Sequence, residues 1–242
     1  MIALFTDFGL EGPYTGQMKA VLFRDAPEVA VVDLFADAPP ANPKAGAYLL
    51  AAHADWFPPG TVFLCVVDPG VGSARAAIVV EADGRRYVGP DNGLFELVLR
   101  RAHAVTVREI DWRPDALSAS FHGRDLFAPV AARLAQGEHL PGRPREGEAG
   151  RMPSWPDDLP EIVYIDHYGN AMTGLRAGVV PRSARLAVAG RTVAPARTFS
   201  DVPVGSPLWY KNSNGLAEIA VNCGRTDRLL GIEIGAPVMI LD

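Results

Sequence analysis

A carboxylate and a guanidinium frame one tight turn, Asp68-Pro69-Gly70-Val71-Gly72-Ser73-Ala74-Arg75. The turn links two apolar runs, 61–67 and 76–80, the first rich in β-branched residues. That pattern describes a buried strand delivering a polar pair to an exposed loop, where function collects. A carboxylate held by a guanidinium can orient a nucleophile or accept its proton. The competing reading is a turn Asp capping its own backbone beside an unrelated surface Arg. Four more polar clusters fall at turns or strand ends: Asp7-Phe8-Gly9, Ser120-Phe121-His122-Gly123-Arg124-Asp125, Asp166-His167-Tyr168-Gly169-Asn170 and Lys211-Asn212-Ser213-Asn214-Gly215. Taken singly, each is equally readable as a cap, a structural histidine or a hairpin loop.

The elements that must hold these clusters follow from periodicity. Short apolar runs at 2–6, 29–34 and 61–67 alternate with helix-like stretches at 14–24 and 43–56, the second opened by proline. Strand, helix, strand, helix, strand predicts parallel βαβ units. A strand pair at 77–81 and 86–89 follows, then a helix near 94–101, a strand at 104–110 and a helix at 126–136. In an open parallel sheet, ligands lie beyond the carboxyl ends of the strands, where both Asp7 and Asp68 fall. Residues 137–160 are dense in Pro, Gly and charge and are expected to be a linker. Beyond them, short strands at 161–165, 184–189, 192–193, 206–210, 216–221 and 236–241 lack intervening helices. That spacing predicts a small antiparallel barrel or sandwich. The expected organisation is therefore α/β: an N-terminal Rossmann-like domain over 1–136 with a mainly parallel sheet, and a smaller C-terminal antiparallel β-barrel domain over 161–242.

Composition narrows the function classes. A chain of 242 residues with 48% hydrophobic and 21% charged side chains can bury a sizeable core. A net charge of -5 without clustered Lys and Arg argues against nucleic acid as a partner and suits a cationic small substrate. The longest apolar runs are too short to span a bilayer. Cys65 and Cys223, far apart and without a secretory signal, are expected to be reduced thiols in a cytoplasmic protein. The acidic residues lack the spacing of a metal cluster, so no metal is expected.

Taken in order, the clusters resemble the S-adenosylmethionine hydroxide adenosyltransferase family, the SAM hydrolases, related to the bacterial fluorinating and chlorinating enzymes. The resemblance covers nearly the whole chain. It rests on Phe5-Thr6-Asp7-Phe8-Gly9 with Tyr14 and Gly16-Gln17-Met18-Lys19, and on Val67-Asp68-Pro69-Gly70-Val71-Gly72 with Arg75. Further matches are Gly89-Pro90-Asp91-Asn92-Gly93, Phe121-His122-Gly123-Arg124-Asp125 with Phe127-Ala128-Pro129, Ile165-Asp166 with Tyr168-Gly169-Asn170 and Thr173, and Asn212-Ser213 with Gly215. Two positions depart from the pattern: the turn Leu10-Glu11-Gly12-Pro13, and Ala41, where relatives often carry a larger side chain. Both bear on ribose and adenine packing.

The resemblance implies conversion of S-adenosylmethionine and water to adenosine, methionine and a proton, with no cofactor. It implies a homotrimer whose sites lie between one subunit's first domain and its neighbour's second. It carries the family's catalytic triad onto Asp68, Arg75 and His122, and the ribose contact onto Asp7. Asn170 and the backbone near Val221 and Cys223 take the adenine positions, and Tyr168 an aromatic wall. Tyr14, Asp166, Ser213 and Asn214 take the methionine end. A sulfonium leaves as a neutral thioether, so the reaction needs no general acid, only an aligned water and a proton acceptor: Asp68, His122 or the two together, with His122 or a shared network expected over Asp68 alone because Arg75 lowers the carboxylate's basicity. A halide adenosyltransferase on the same scaffold and a non-catalytic adenosine-binding module are the alternatives.

Overall fold

The computed structural model describes residues 1–138, 142–145 and 151–241. These divide into two compact units, Met1–Met152 and Pro153–Asp242. Part of the expected linker, residues 139–141 and 146–150, lies outside the described residues.

The first unit runs β1 (Ile2–Thr6), α1 (Tyr14–Asp25), β2 (Val31–Phe35), α2 (Pro43–His53), β3 (Val62–Val66), β4 (Ala77–Ala82), β5 (Arg85–Pro90), α3 (Glu96–Arg101), β6 (Val105–Ile110), α4 (Ala128–Ala135) and β7 (Gly142–Pro144). Its seven strands form one sheet in the order β2-β1-β3-β5-β4-β6-β7. Every residue of β1 and β3 is buried, as expected of central strands covered on both faces. Ile2, Leu4, Leu64 and Val66 pack with Met18 and Leu22 of α1 and Val130 of α4. The other face receives α2, whose Gly46 lets Phe5 and Leu94 approach: a Cβ there would lie 2.9 Å from Leu94. Asn42 caps α2 by accepting the Ala45 amide at 3.0 Å, and Pro43 fills its first position.

The sheet is mixed rather than mainly parallel. Pairings β1–β2, β1–β3 and β3–β5 are parallel, whereas β4–β5, β4–β6 and β6–β7 are antiparallel. The cause is local: Asp83 and Gly84 both adopt positive φ, +46° and +79°, and form the tight hairpin turn that reverses β4 into β5. Within the expected linker, Gly142–Pro144 pairs along β6 as the sheet's edge, where a strand proline costs no ladder bond.

The second unit contains β8 (Leu159–Ile165), β9 (Ala171–Arg176), β10 (Arg185–Val188), β11 (Arg191–Val193), β12 (Pro207–Lys211), β13 (Leu216–Val221), α5 (Thr226–Leu230) and β14 (Val238–Leu241). They form two antiparallel sheets, β12-β13-β9-β8 and β11-β10-β14. Their shared core includes Ile162, Leu186, Trp209, Ile219 and Val238. Single bridges, Glu161 with Pro237 and Pro195 with Trp209, link the sheets' margins. The described residues contain no helix long and apolar enough to cross a membrane.

Candidate active site

In the first unit the chain leaves β1 to pair β2 on one side, then returns across β1 to place β3 on the other. The carboxyl ends of β1 and β3 are thus the switch point of the parallel half, where a crevice opens. Asp7 and Asp68 extend from those two ends, and the Asp7 amide donates to Val66 O at 3.3 Å.

The turn after β3 folds back so that Arg75 forks onto Asp68. Arg75 Nε donates to Asp68 Oδ1 at 2.7 Å, while Nη2 donates to Oδ2. The side chains of Arg75 and Asp68 are only 9% and 4% exposed, so the pair is desolvated and each charge depends on the other. Nη1 donates to Ala76 O at 3.1 Å, and the guanidinium lies 5.3 Å from the centre of the Phe127 ring. Its remaining contact is with His122 Nδ1, 3.2 Å from Nη2. Arginine carries no acceptor, so Nδ1 must be the accepting nitrogen, which leaves the ring proton of neutral His122 on Nε2. Burial, reinforced by the Arg75 charge, holds His122 below the usual histidine pKa.

Two loops make this geometry possible. Gly72 has φ +79°, and a Cβ on it would lie 2.6 Å from Ala119 O. Only glycine lets the turn approach the segment that presents His122. After His122 the chain makes one π turn, Gly123–Phe127, before α4 begins. The Gly89–Gly93 motif braces the turn from behind. Asn92 Nδ2 donates to Val67 O at 2.9 Å, and the Asp91 amide donates at 3.0 Å to the same Ala76 carbonyl that receives Arg75.

Asp7 lies beside the triad, its Oδ2 accepting the Ala41 amide at 2.8 Å. Burial, with the nearby Asp68 charge adding to it, raises the Asp7 carboxyl pKa. Phe121 packs T-shaped with Tyr14 and Phe8, which are tilted against each other, with centroids 5.5 to 5.7 Å apart, and Tyr14 is half exposed at the rim.

The second unit supplies a separate cavity of about 870 Å³. Asp166, Tyr168, Asn170, Ser213, Asn214, Val221 and Cys223 all line it, within the usual size range for a small-molecule pocket. Asp166 spends both oxygens on Asn170, accepting its amide at 2.8 Å and its Nδ2 at 3.0 Å. Gly169, at φ +84°, draws this hairpin against Arg225, 2.8 Å from where a Cβ would stand. Tyr168 stands three-quarters exposed, at 74%, as an aromatic lip. Cys223 adopts φ +53° in the turn that follows β13.

Sequence reasoning missed the cavity's floor. Tyr210, Glu218 and Met172 are cross-strand neighbours in β12, β13 and β9, and all three line the cavity. Glu218 is 3% exposed; Tyr210 OH donates to its Oε1, and Asn212 Nδ2 donates to Oε2 at 2.8 Å. The available signal was a single Glu in the otherwise apolar β13 run Leu-Ala-Glu-Ile-Ala-Val.

Comparison with known proteins covers both units. Residues 2–142 match the SAM hydroxide adenosyltransferase N-terminal domain, and residues 160–239 match the corresponding C-terminal domain. The chain is 43% identical to a Thermus thermophilus protein named (R)-S-adenosyl-L-methionine hydrolase, over 99% of each chain. It is 40% identical to a protein of the same name from Salinispora arenicola, over 97% of this chain and 95% of that one. A solved structure of an uncharacterised conserved protein from Thermotoga maritima superposes with a TM-score of 0.90 at 32% identity, covering 100% of both chains. The strand-end Asp68, its Arg75 fork and the His122 ring are therefore features of a chain that belongs to the SAM hydroxide adenosyltransferase family.

Proposed function

We propose that Asp68, Arg75 and His122 align and deprotonate a water that attacks the ribose 5′ carbon of S-adenosylmethionine. The chain is a hydrolase of S-adenosyl-L-methionine, releasing adenosine and methionine. The observation that carries the mechanism is the buried Asp68–Arg75 fork with His122 Nδ1 on the same guanidinium.

In the reaction a lone pair of water forms the new C5′–O bond while the C5′–S pair leaves on sulfur. The sulfonium becomes a neutral thioether, and one proton remains to be placed. Arg75 lowers the basicity of Asp68 by favouring its charged form, which at first counts against that carboxylate as base. As the C–O bond forms, however, the water oxygen becomes an oxonium, far more acidic than any carboxylic acid. A weak but fixed carboxylate suffices to take that proton, and Asp68 hands it on to solvent. His122 is poorly suited to accept it, because its only free lone pair already receives Arg75. Its Nε2–H instead donates to the attacking oxygen and orients it. Holding the water in line contributes up to about 7 to 11 kcal/mol, more than the proton transfer itself.

The binding roles follow from the same reading. Asp7 accepts both ribose hydroxyls, and Tyr14 closes the rim near the methionine end. Tyr168 walls the nucleoside, while Asn170 and the backbone at Val221 and Cys223 hold adenine. Ser213 and Asn214 donate to the methionine carboxylate, and Asp166 adds negative charge to that end. The complete site forms in a homotrimer, between the first unit of one subunit and the second unit of its neighbour. The bridges at Glu161–Pro237 and Pro195–Trp209 support reading the second unit as a small closed barrel. Two cysteines outside any disulfide suit a cytoplasmic enzyme.

Incubation with S-adenosylmethionine in chloride- and fluoride-containing buffer tests the reaction class. Adenosine and methionine in equal amounts are expected; a halogenated nucleoside as the main product would overturn hydrolysis.

A further inference from the structure

We infer that Arg124 and Asp125, anchored on Gln17 of α1, are positioning residues that hold the His122 ring against Arg75, a role that rests on the triad proposed above. Among the described residues, Arg75 is the only hydrogen-bond partner of that ring. The ring therefore stands where its backbone puts it. Residues 111–121, between β6 and His122, form no helix or strand, and such a stretch opens locally unless it is tied.

Asp125 ties it. Its Oδ2 accepts the Ser118 amide at 3.0 Å, and its own amide donates to Phe121 O at 3.2 Å, so residues before His122 are bound to one that follows it. Arg124 Nε and Nη2 fork onto the two Asp125 oxygens at 2.6 and 3.0 Å, which holds that carboxyl below the usual carboxylate range. The remaining nitrogen, Nη1, reaches α1 and donates to Gln17 Oε1 at 2.9 Å. The same guanidinium lies 5.0 Å from the centre of the Phe121 ring, next to His122 in the chain. The π turn itself sits close on α1: a Cβ on Gly123 would lie 3.2 Å from Met18 Sδ. Such turns are rare and gather at functional sites.

A fork between adjacent residues is worth little on a surface. Arg24 and Asp25, at the end of α1, make the same fork at 2.6 and 3.0 Å. The Arg124–Asp125 pair differs by its bonds to Ser118 and Gln17, which fasten the His122 segment to a helix 107 positions away in sequence.

A double-mutant cycle between Asp125→Asn and His122→Ala separates positioning from general support. Steady-state hydrolysis of S-adenosylmethionine would be measured for the wild-type chain, both single variants, the double variant and Asp25→Asn. A misplaced ring predicts a kcat about ten- to hundredfold lower in Asp125→Asn, with KM within about threefold of wild type. The double variant should be as fast as His122→Ala to within about threefold, because the ring that Asp125 positions is already gone. Asp25→Asn, which breaks the matching fork, should turn over within about twofold of wild type. Wild-type kcat in Asp125→Asn, an undiminished further loss on top of His122→Ala, or an equal loss in Asp25→Asn would each overturn the assignment. Should Asp125→Asn not fold, Arg124→Lys, which cannot make the fork, replaces it in the same cycle, and an additive loss would overturn the assignment again. If His122→Ala turns over like wild type the proposed triad fails instead, and if the wild-type chain does not hydrolyse S-adenosylmethionine the proposed function does.

Discussion

In the proposed triad one guanidinium serves three acceptors, Asp68, Ala76 O and His122. Removing it by Arg75→Ala strands a desolvated carboxylate, so the variant should lose about 3 to 5 kcal/mol of stability, measured by denaturant unfolding. A loss below 1 kcal/mol would contradict the burial argument. Asp68→Asn keeps the shape and removes the base; turnover should fall by about 10² to 10⁴-fold while adenosine affinity persists, read by steady-state kinetics and calorimetry. His122 offers a direct check on its assigned tautomer. With its pKa held below the usual value of about 6.5, the folded state favours the neutral ring. The stability this contributes is present above that pH and is lost as pH falls through the folded-state pKa. Nitrogen NMR of labelled histidine should report an Nε2–H ring titrating below 6.5; an Nδ1–H ring, or titration above that value, would remove His122 from the orienting role.

At the scale of elements, the site depends on how closely loops approach. Gly72→Ala should destabilise the protein by about 1 to 3 kcal/mol, because it forces a side chain into positive φ and against Ala119 O. The same change should cut turnover at least tenfold by moving His122 away from Arg75; wild-type melting temperature and turnover would refute the coupling. Much of this scaffold was readable in advance. The apolar runs of β1 and β3 and the Gly- and Pro-rich turn between Asp68 and Arg75 carry strong local signals. β9 does not: Ala171–Arg176 is weakly apolar and contains Gly174, which is there because a Cβ would lie 2.6 Å from Leu159 on β8. β7 was hidden in the same way, since Gly142 accommodates Glu109 O on β6. Glu218 was missed for a related reason. Its meaning comes from Tyr210 and Met172 on neighbouring strands, and cross-strand register is a long-range property.

For the molecule as a whole, the proposed function gives the two units complementary halves of the chemistry: the turn that carries Asp68 and Arg75 in one and a ligand-sized cavity in the other. If neighbouring subunits share each site, Asp68→Asn chains and Asn170→Ala chains should complement one another. Mixed after reversible dissociation, the two weak variants should regain activity, up to about a quarter of sites being fully wild type. No recovery, in particles shown by sedimentation to be mixed trimers, would place both halves within one chain. In the proposed reaction water is the nucleophile and ribose C5′ the carbon it strikes. Turnover of S-adenosylmethionine in water labelled with heavy oxygen tests this most directly by mass spectrometry of both products. Attack by water at C5′ puts one labelled oxygen in the 5′ hydroxyl of adenosine and none in methionine; unlabelled adenosine would rule it out.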